Sequence, residues 1–227
     1  MRMSWHDLCF LHWPVDAGLL TPLLPTGLSL DTFNGVAWIA VVPFRMTDVS
    51  ARGVPRIRRI SDFGELNVRI YVTAGGKPGV WFLSLDATQP LAVRVARTFF
   101  HLPYLDARIE LRRDGDTVRY ESVRTHLGAG PAELAVSYRP IGPPVSAVPG
   151  SIEHFLTERY CLYAADKRGR IRRQEIDHAP WPLRPAAVEI ERCSMTRPYG
   201  ISLDGEPHLA HVADRLDVVG WLPHRVV

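Results

Sequence analysis

"FGELNVRIYV", residues 63–72, alternates at every position. Gly64, Leu66, Val68, Ile70 and Val72 fall on one side, and Phe63, Glu65, Asn67, Arg69 and Tyr71 on the other. A period of two marks a β-strand whose apolar face packs into a core. The second face sets a carboxylate, an amide and a guanidinium in one row and brackets them with aromatic rings. Whether that row meets bulk water or a cavity decides whether the strand carries a site.

The residues that follow extend the argument. "TAGGKPG" (73–79) supplies turn residues and "VWFLSLDA" (80–87) reads as a second strand, so 63–87 is a hairpin. Antiparallel partners keep a constant index sum. With Tyr71 opposite Val80, Arg69 meets Phe82, Asn67 meets Ser84 and Glu65 meets Asp86. The opposite parity would press the charged residues against Leu85, Leu83 and Trp81, so the face pattern favours the first register. Glu65, Asp86, Asn67, Ser84 and Arg69 then share a face with Phe63, Phe82 and Tyr71. A polar cluster walled by aromatics is the pattern of a ligand pocket. An arginine–carboxylate network on an exposed sheet face is the competing reading. Two adjacent carboxylates would raise the pKa of one, making Glu65 or Asp86 a proton donor, with Arg69 as an anion anchor.

Outside this hairpin, "GVAWIAVVPF" (35–44) is apolar on both faces and reads as a fully buried strand. Leu91, Val95, Ala96 and Phe99 recur at helical spacing in 89–101. Asp114-Gly115 centres a hairpin over 107–124, and 132–140 is a further strand. Ser151 caps a helix over 151–160, and 161–176 is a hairpin turning at Asp166–Gly169. Residues 14–27 read as a short helix or turns, and 50–61 as a basic Pro/Gly loop. Residues 186–195 fit helix or strand, and the polar tail that follows receives no assignment. Many strands at short spacing with few helices predict a mainly β (α+β) protein, a curved antiparallel sheet with peripheral helices, as one domain over 1–227.

Composition narrows the function. The chain has 227 residues and a net charge of +3. That balance argues against nucleic acid as a partner, although "RIRR" occurs at 56–59 and 170–173. Three scattered cysteines without a CxxC pair predict a reducing, cytoplasmic setting. His6, Asp7 and His12 fall where a signal peptide needs an apolar core. The longest apolar run is far short of a bilayer span of about 20 residues, so no membrane partner is expected. His208 and His211 have a metal-like spacing without a third ligand, and no metal or cofactor is expected. No nucleophile elbow or phosphate loop is present. Nothing in the sequence fixes an oligomeric state.

Several stretches in order, "WIAVVPF", "FGELNVRIYV", "GVWFLSLDA", "ARTFFHLPYLDARI", "FLTERYCLYAADKRGRI" and "HAPWPL", resemble the YqjF-like family of uncharacterised bacterial proteins. That family is similar in fold to acetoacetate decarboxylase. The resemblance implies a sheet closing into a cone or barrel around an internal pocket. It also implies a test of mechanism, because the decarboxylases use a Schiff-base lysine beside a second lysine, in the motif Arg-Glu-x-x-Gly-x-Pro-Lys-Lys. Laid on "RTFFHLPYL", Arg97 matches the arginine and Pro103 the proline. Thr98 replaces the glutamate, and Tyr104 and Leu105 stand where the lysines would be. The only lysines, Lys77 and Lys167, fall in turn segments. Glu65 is similar to an acidic residue of the decarboxylase pocket.

The expected site therefore comprises Glu65, Asp86, Arg69 and Tyr104 as chemical groups. Asn67, Ser84, Phe63, Tyr71, Phe82, Arg97 and His101 would contact a small-molecule ligand or substrate. Such a protein is an enzyme acting on a small oxygenated or anionic compound without a covalent lysine, or a binding or sensing module using the same pocket. A structural or interaction protein with an exposed polar face is the third reading.

Overall fold

The computed structural model describes residues 1–50, 61–203 and 205–226. The basic loop expected over 50–61, with the first "RIRR" at 56–59, lies outside the described residues apart from its two ends. Five long strands build a central wall. Their order is β12 (Leu209–Gly220), β1 (Arg2–Val15), β3 (Ala37–Ser50), β4 (Phe63–Ala74) and β5 (Lys77–Ala87), each antiparallel to the next. A two-residue strand, β2 (Ser29–Leu30), pairs with the far end of β4.

The sheet branches at both ends of this wall. β5 is bordered by β6 (Tyr104–Asp114) along 85–87 and by β9 (Cys161–Ala165) along 80–81, both parallel. β12 is bordered by β11 (Arg184–Cys193) at one end and β10 (Ile171–Asp177) at the other. Through β7 (Thr117–Arg124) and β8 (Glu133–Pro140), one branch closes a ring of nine strands, β5-β6-β7-β8-β11-β12-β1-β3-β4. β9 and β10 close a second, shorter circuit against the other side of the wall.

This branching explains why the wall strands are apolar on both faces. On β1, β3 and β4, Leu11, Val41, Leu66, Val68 and Ile70 point into the nine-strand ring and meet Tyr120 and Leu134. Their alternate neighbours Phe10, Val42 and Phe44 belong to a second cluster with Leu85, Tyr104 and Trp181. The apolar face of 63–72 is thus core, as its alternation predicts. Its polar face is also covered, so the strand is buried on both sides rather than half-buried.

The hairpin register needs one correction. Tyr71 pairs with Val80 and Arg69 with Phe82, as expected. Between Val68 and Arg69 the register shifts by one, leaving an extra residue on β5. Beyond this bulge Asn67 faces Leu85 and Glu65 faces Ala87, while Ser84 and Asp86 pair with Val68 and Leu66. One inserted residue turns every later side chain to the opposite face. Ser84 and Asp86 therefore point into the nine-strand ring, away from Glu65.

The helix at 89–101 is shorter than expected. It spans Pro90–Val95 and continues as a π-type turn, Ala96–Phe100. The spaced residues Leu91, Val95 and Phe99 are exposed, and Val93 is the buried one, because the helix lies across a cavity rim rather than on a core. Residues 14–27 give a helix at Ala17–Leu20 followed by a 3-10 turn. The helix capped by Ser151 spans Ile152–Thr157. Residues 186–195 resolve to strand, because β11 completes the ladder beside β8. β1 and β12, two of the five wall strands, had no counterpart in the sequence reading. No helix among the described residues is long and apolar enough to cross a membrane.

Candidate functional site

The polar row of β4 faces a cavity of about 340 Å³ between the wall, β9, β10 and the helix at Pro90–Val95. That volume lies in the range of small-molecule pockets, about 300–1,000 Å³. Glu65 is 2% exposed and Arg69 9%, which excludes the reading of a solvated sheet face. Phe63, Glu65, Asn67, Arg69, Phe82 and Tyr104 line the cavity, so the structure brings six of the expected residues together.

At one end, Tyr104 Oη donates to Glu65 Oε2 at 2.7 Å. Tyr104 opens β6, and the Arg97 guanidinium secures it by donating to its backbone oxygen at 2.7 Å. Tyr120 Oη reaches through from the ring side and donates to the Glu65 carbonyl at 2.7 Å, fixing the backbone at that point. Burial pushes the Glu65 carboxyl up to about 8, against the opposing effect of the Tyr104 hydrogen bond. Burial, and the adjacent Glu65, push the Tyr104 hydroxyl well above its ordinary value. At neutral pH the pair is a protonated carboxyl that accepts from a tyrosine and retains its own proton for donation.

At the other end stands Arg69. Its Nη2 donates to the Leu156 carbonyl at 3.1 Å, and its guanidinium lies 5.3 Å from the Phe10 ring and 5.7 Å from the Tyr71 ring. No carboxylate among the described residues forms an ion pair with it, and its Nε has no partner there. Arg159, also on the cavity, is balanced by Asp31 at 2.6 Å and lies over the Phe155 ring at 4.2 Å. Between the two ends sits Asn67, whose Oδ1 lacks a hydrogen-bond partner.

Five expected residues lie elsewhere. Asp86 and Ser84 are held inside the ring by Arg124, which donates to both Asp86 oxygens at 2.9 Å and to Ser84 Oγ at 3.0 Å. That buried pair is the correction to the expected Glu65–Asp86 dyad, and the β5 bulge is its cause. Tyr71 stands behind Arg69 with its hydroxyl 2.8 Å from His12 Nε2. Arg97 acts on the Tyr104 backbone and does not line the cavity. His101 takes the left-handed conformation that ends the π-type turn, and it is not on the cavity wall either. Lys77 begins β5 rather than sitting in the turn and pairs with Glu175 at 2.6 Å; neither it nor Lys167 lines the cavity. His208 packs on Trp38, and among the described residues no group of three or more potential ligands could hold a metal.

The sequence reading missed Trp5, Gln174, His178 and Trp181, which complete the lining. Trp5 and Trp181 stack at 5.8 Å. His178 packs on Tyr160 at 4.7 Å, and burial lowers its pKa. These residues come from β1, from β10 and from the segment just after it. The motif "HAPWPL" (178–183) is the one sequence signal that included two of them.

Comparison with known proteins gives the same frame. The model of the DUF2071 family, described as an uncharacterized conserved protein, matches residues 2–217. Uncharacterized protein YqjF of Bacillus subtilis (strain 168) is 44% identical over 221 residues, covering 97% of this chain and 90% of that protein. Among solved structures, an acetoacetate decarboxylase from Legionella pneumophila aligns with a TM-score of 0.66 at 14% identity, covering 100% of this chain and 87% of that one. The enduracididine biosynthesis enzyme MppR, complexed with the condensation product of pyruvate and imidazole 4-carboxaldehyde, aligns with a TM-score of 0.64 at 14% identity. That alignment covers 97% of this chain and 88% of that one. At such identities the likeness speaks for the fold alone.

Proposed function

We propose that this chain, which belongs to the DUF2071 family, binds a small organic anion in the cavity over β4 and acts on it by acid–base chemistry without a covalent lysine. The observation that carries this reading is Arg69. A guanidinium nine-tenths buried against aromatic rings, with no carboxylate paired to it among the described residues, is costly to maintain. An anionic ligand supplies the missing charge. Glu65 supports the chemical half of the proposal. As a neutral acid it can protonate a carbonyl or enolate oxygen, and Tyr104 holds it in place. The fold neighbours, which include an acetoacetate decarboxylase and an enzyme complexed with a condensation product of pyruvate, support a cavity suited to small oxygenated molecules. The unpaired cysteines support a reducing, cytoplasmic setting.

A binding or sensing module is the second reading, favoured by the largely apolar lining, in which Arg69 is the one charge left unbalanced among the described residues. A thermal-shift screen of small carboxylates against wild type and Arg69→Gln tests the site. The proposal expects stabilisation by carboxylates that disappears in the variant, and equal shifts in both proteins would sink it. Turnover of a bound compound by wild type and its loss in Glu65→Gln separates enzyme from binder.

A further inference from the structure

The two polar ends of the cavity are far apart. Glu65 and Arg69 lie on one face of a regular strand, four residues from each other. At about 3.3 Å per residue that sets their Cα atoms roughly 13 Å apart. Their heads do not converge. Glu65 turns to Tyr104 on β6, whereas Arg69 turns to Leu156 and the Tyr71 ring. The wall between them is largely apolar, with Phe10, Val42, Phe82 and Leu85 around the amide of Asn67, and Gln174 brings a second amide to the lining.

We propose that the preferred ligand is an oxo-carboxylate whose carboxylate and carbonyl are separated by an apolar spacer of several carbons. Its carboxylate sits on Arg69 and its carbonyl on Glu65. This rests on the anion-site reading above and adds a length to it. With the two heads taken to be as far apart as their Cα atoms, a hydrogen bond of about 2.9 Å at each end leaves roughly 7 Å between the two ligand oxygens. A β-keto acid, with one carbon between its functional groups, reaches either end but not both. The aromatic and aliphatic wall fits the spacer, because a chain held there sheds water from its methylenes. The bound carbonyl would lie where Glu65 donates a proton.

Titration calorimetry on the full wild-type chain tests the length. The probes are keto acids with one, two, four and six methylenes between carboxylate and ketone, each beside the plain fatty acid of equal length. Burial of methylenes alone tightens both series by about fourfold per carbon and leaves their ratio flat. Bridging predicts a ratio near or below one at one methylene, rising to about tenfold in favour of the keto acid at the matching length. Glu65→Leu should return the ratio to one. Arg69→Gln should weaken every acid by a common factor and erase its advantage over its methyl ester. A flat ratio with the Arg69 dependence intact overturns the spacer and leaves the anion site standing. Acids that bind wild type no better than their methyl esters overturn both. The wild-type series decides the matter even where a variant does not fold.

Discussion

Glu65→Gln removes the proton that burial holds on the cavity floor, and its effect on stability has a definite shape. The folded carboxyl titrates near 8 against an ordinary value of 4.5. At 1.36 kcal/mol for each pKa unit, the difference is about 4–5 kcal/mol. Below about pH 4.5 both folded and unfolded chains carry the proton, and the term vanishes. Between about 4.5 and 8 the unfolded chain releases it while the folded chain keeps it, so wild-type stability falls as pH rises. Above about 8 the folded chain releases it too, and the loss levels off. The glutamine variant keeps an acceptor for Tyr104 and has no proton to lose. Its stability relative to wild type should therefore climb by about 4 kcal/mol from about pH 5 to pH 9.

Urea unfolding of both proteins at about pH 5, 7 and 9 measures this directly. Every other ionisable group contributes equally to both curves and cancels in the difference, provided the pH stays below the range where tyrosines titrate. A stability gap that stays constant within about 1 kcal/mol across that range would refute the reasoning. It would mean that Glu65 is ionised in the folded protein at neutral pH. The acid role assigned to it would then fail as well.

Arg124→Met should cost about 3–5 kcal/mol in urea unfolding because it strands the buried Asp86 carboxylate, whereas Arg112→Ala, at an exposed pair with Glu110, should cost under about 1 kcal/mol. Arg69→Gln should leave the melting temperature unchanged or higher while abolishing stabilisation by organic anions, read by differential scanning fluorimetry. Borohydride reduction in the presence of a ketone should label neither Lys77 nor Lys167 in peptide mass spectrometry, because neither lysine reaches the cavity and Lys77 is an ion-paired ammonium. Gly79→Ala should destabilise the protein by about 1–3 kcal/mol in urea unfolding: its Cβ would sit 2.7 Å from Cys161 Sγ and 2.8 Å from the Cys161 carbonyl, forcing β5 and β9 apart.

Which features were legible follows from how locally each is encoded. β4 is encoded within ten residues, by an alternation that covers both of its faces, and Glu65, Asn67 and Arg69 came with it. Tyr104 entered only through the motif comparison. β1 was not legible because its polar residues sit where the wall needs them rather than where a period of two would put them. His12 is fully buried against Tyr71, and Asp7 takes a positive φ where the β1–β3 register shifts. β12 carries Arg215 and Asp217, which pair with each other on its outer face and make the segment read as a polar tail. Trp5, Gln174 and Trp181 were not legible as site residues because they reach the cavity from strands and loops distant in sequence.

The bulge beside Leu83 carries the most weight, and no local pattern announces it. The alternation of "FLSLD" favours the regular register, and the tertiary context overrides it. Its effect is to split the acidic and basic groups of the β4–β5 hairpin between two buried environments with opposite electrostatic outcomes. Inside the ring, Asp86 meets Arg124, which also donates to Ser84 and to the Gly130 carbonyl, so charge and hydrogen bonds both close there. On the cavity side Glu65 escapes its charge by keeping a proton, and Arg69 has no such route, because a guanidinium does not deprotonate in a protein. Had the hairpin kept one register throughout, Asp86 would stand beside Glu65 on the cavity face, at the end away from Arg69, and the cavity would hold an anion of its own to offset the guanidinium. The inserted residue removes that anion and commits it to Arg124. The positive charge left at one end of an apolar cavity is thus a consequence of the register itself: Leu83 is the extra residue, so a variant lacking it should keep Ser84 and Asp86 opposite Val68 and Leu66, and anion binding should persist.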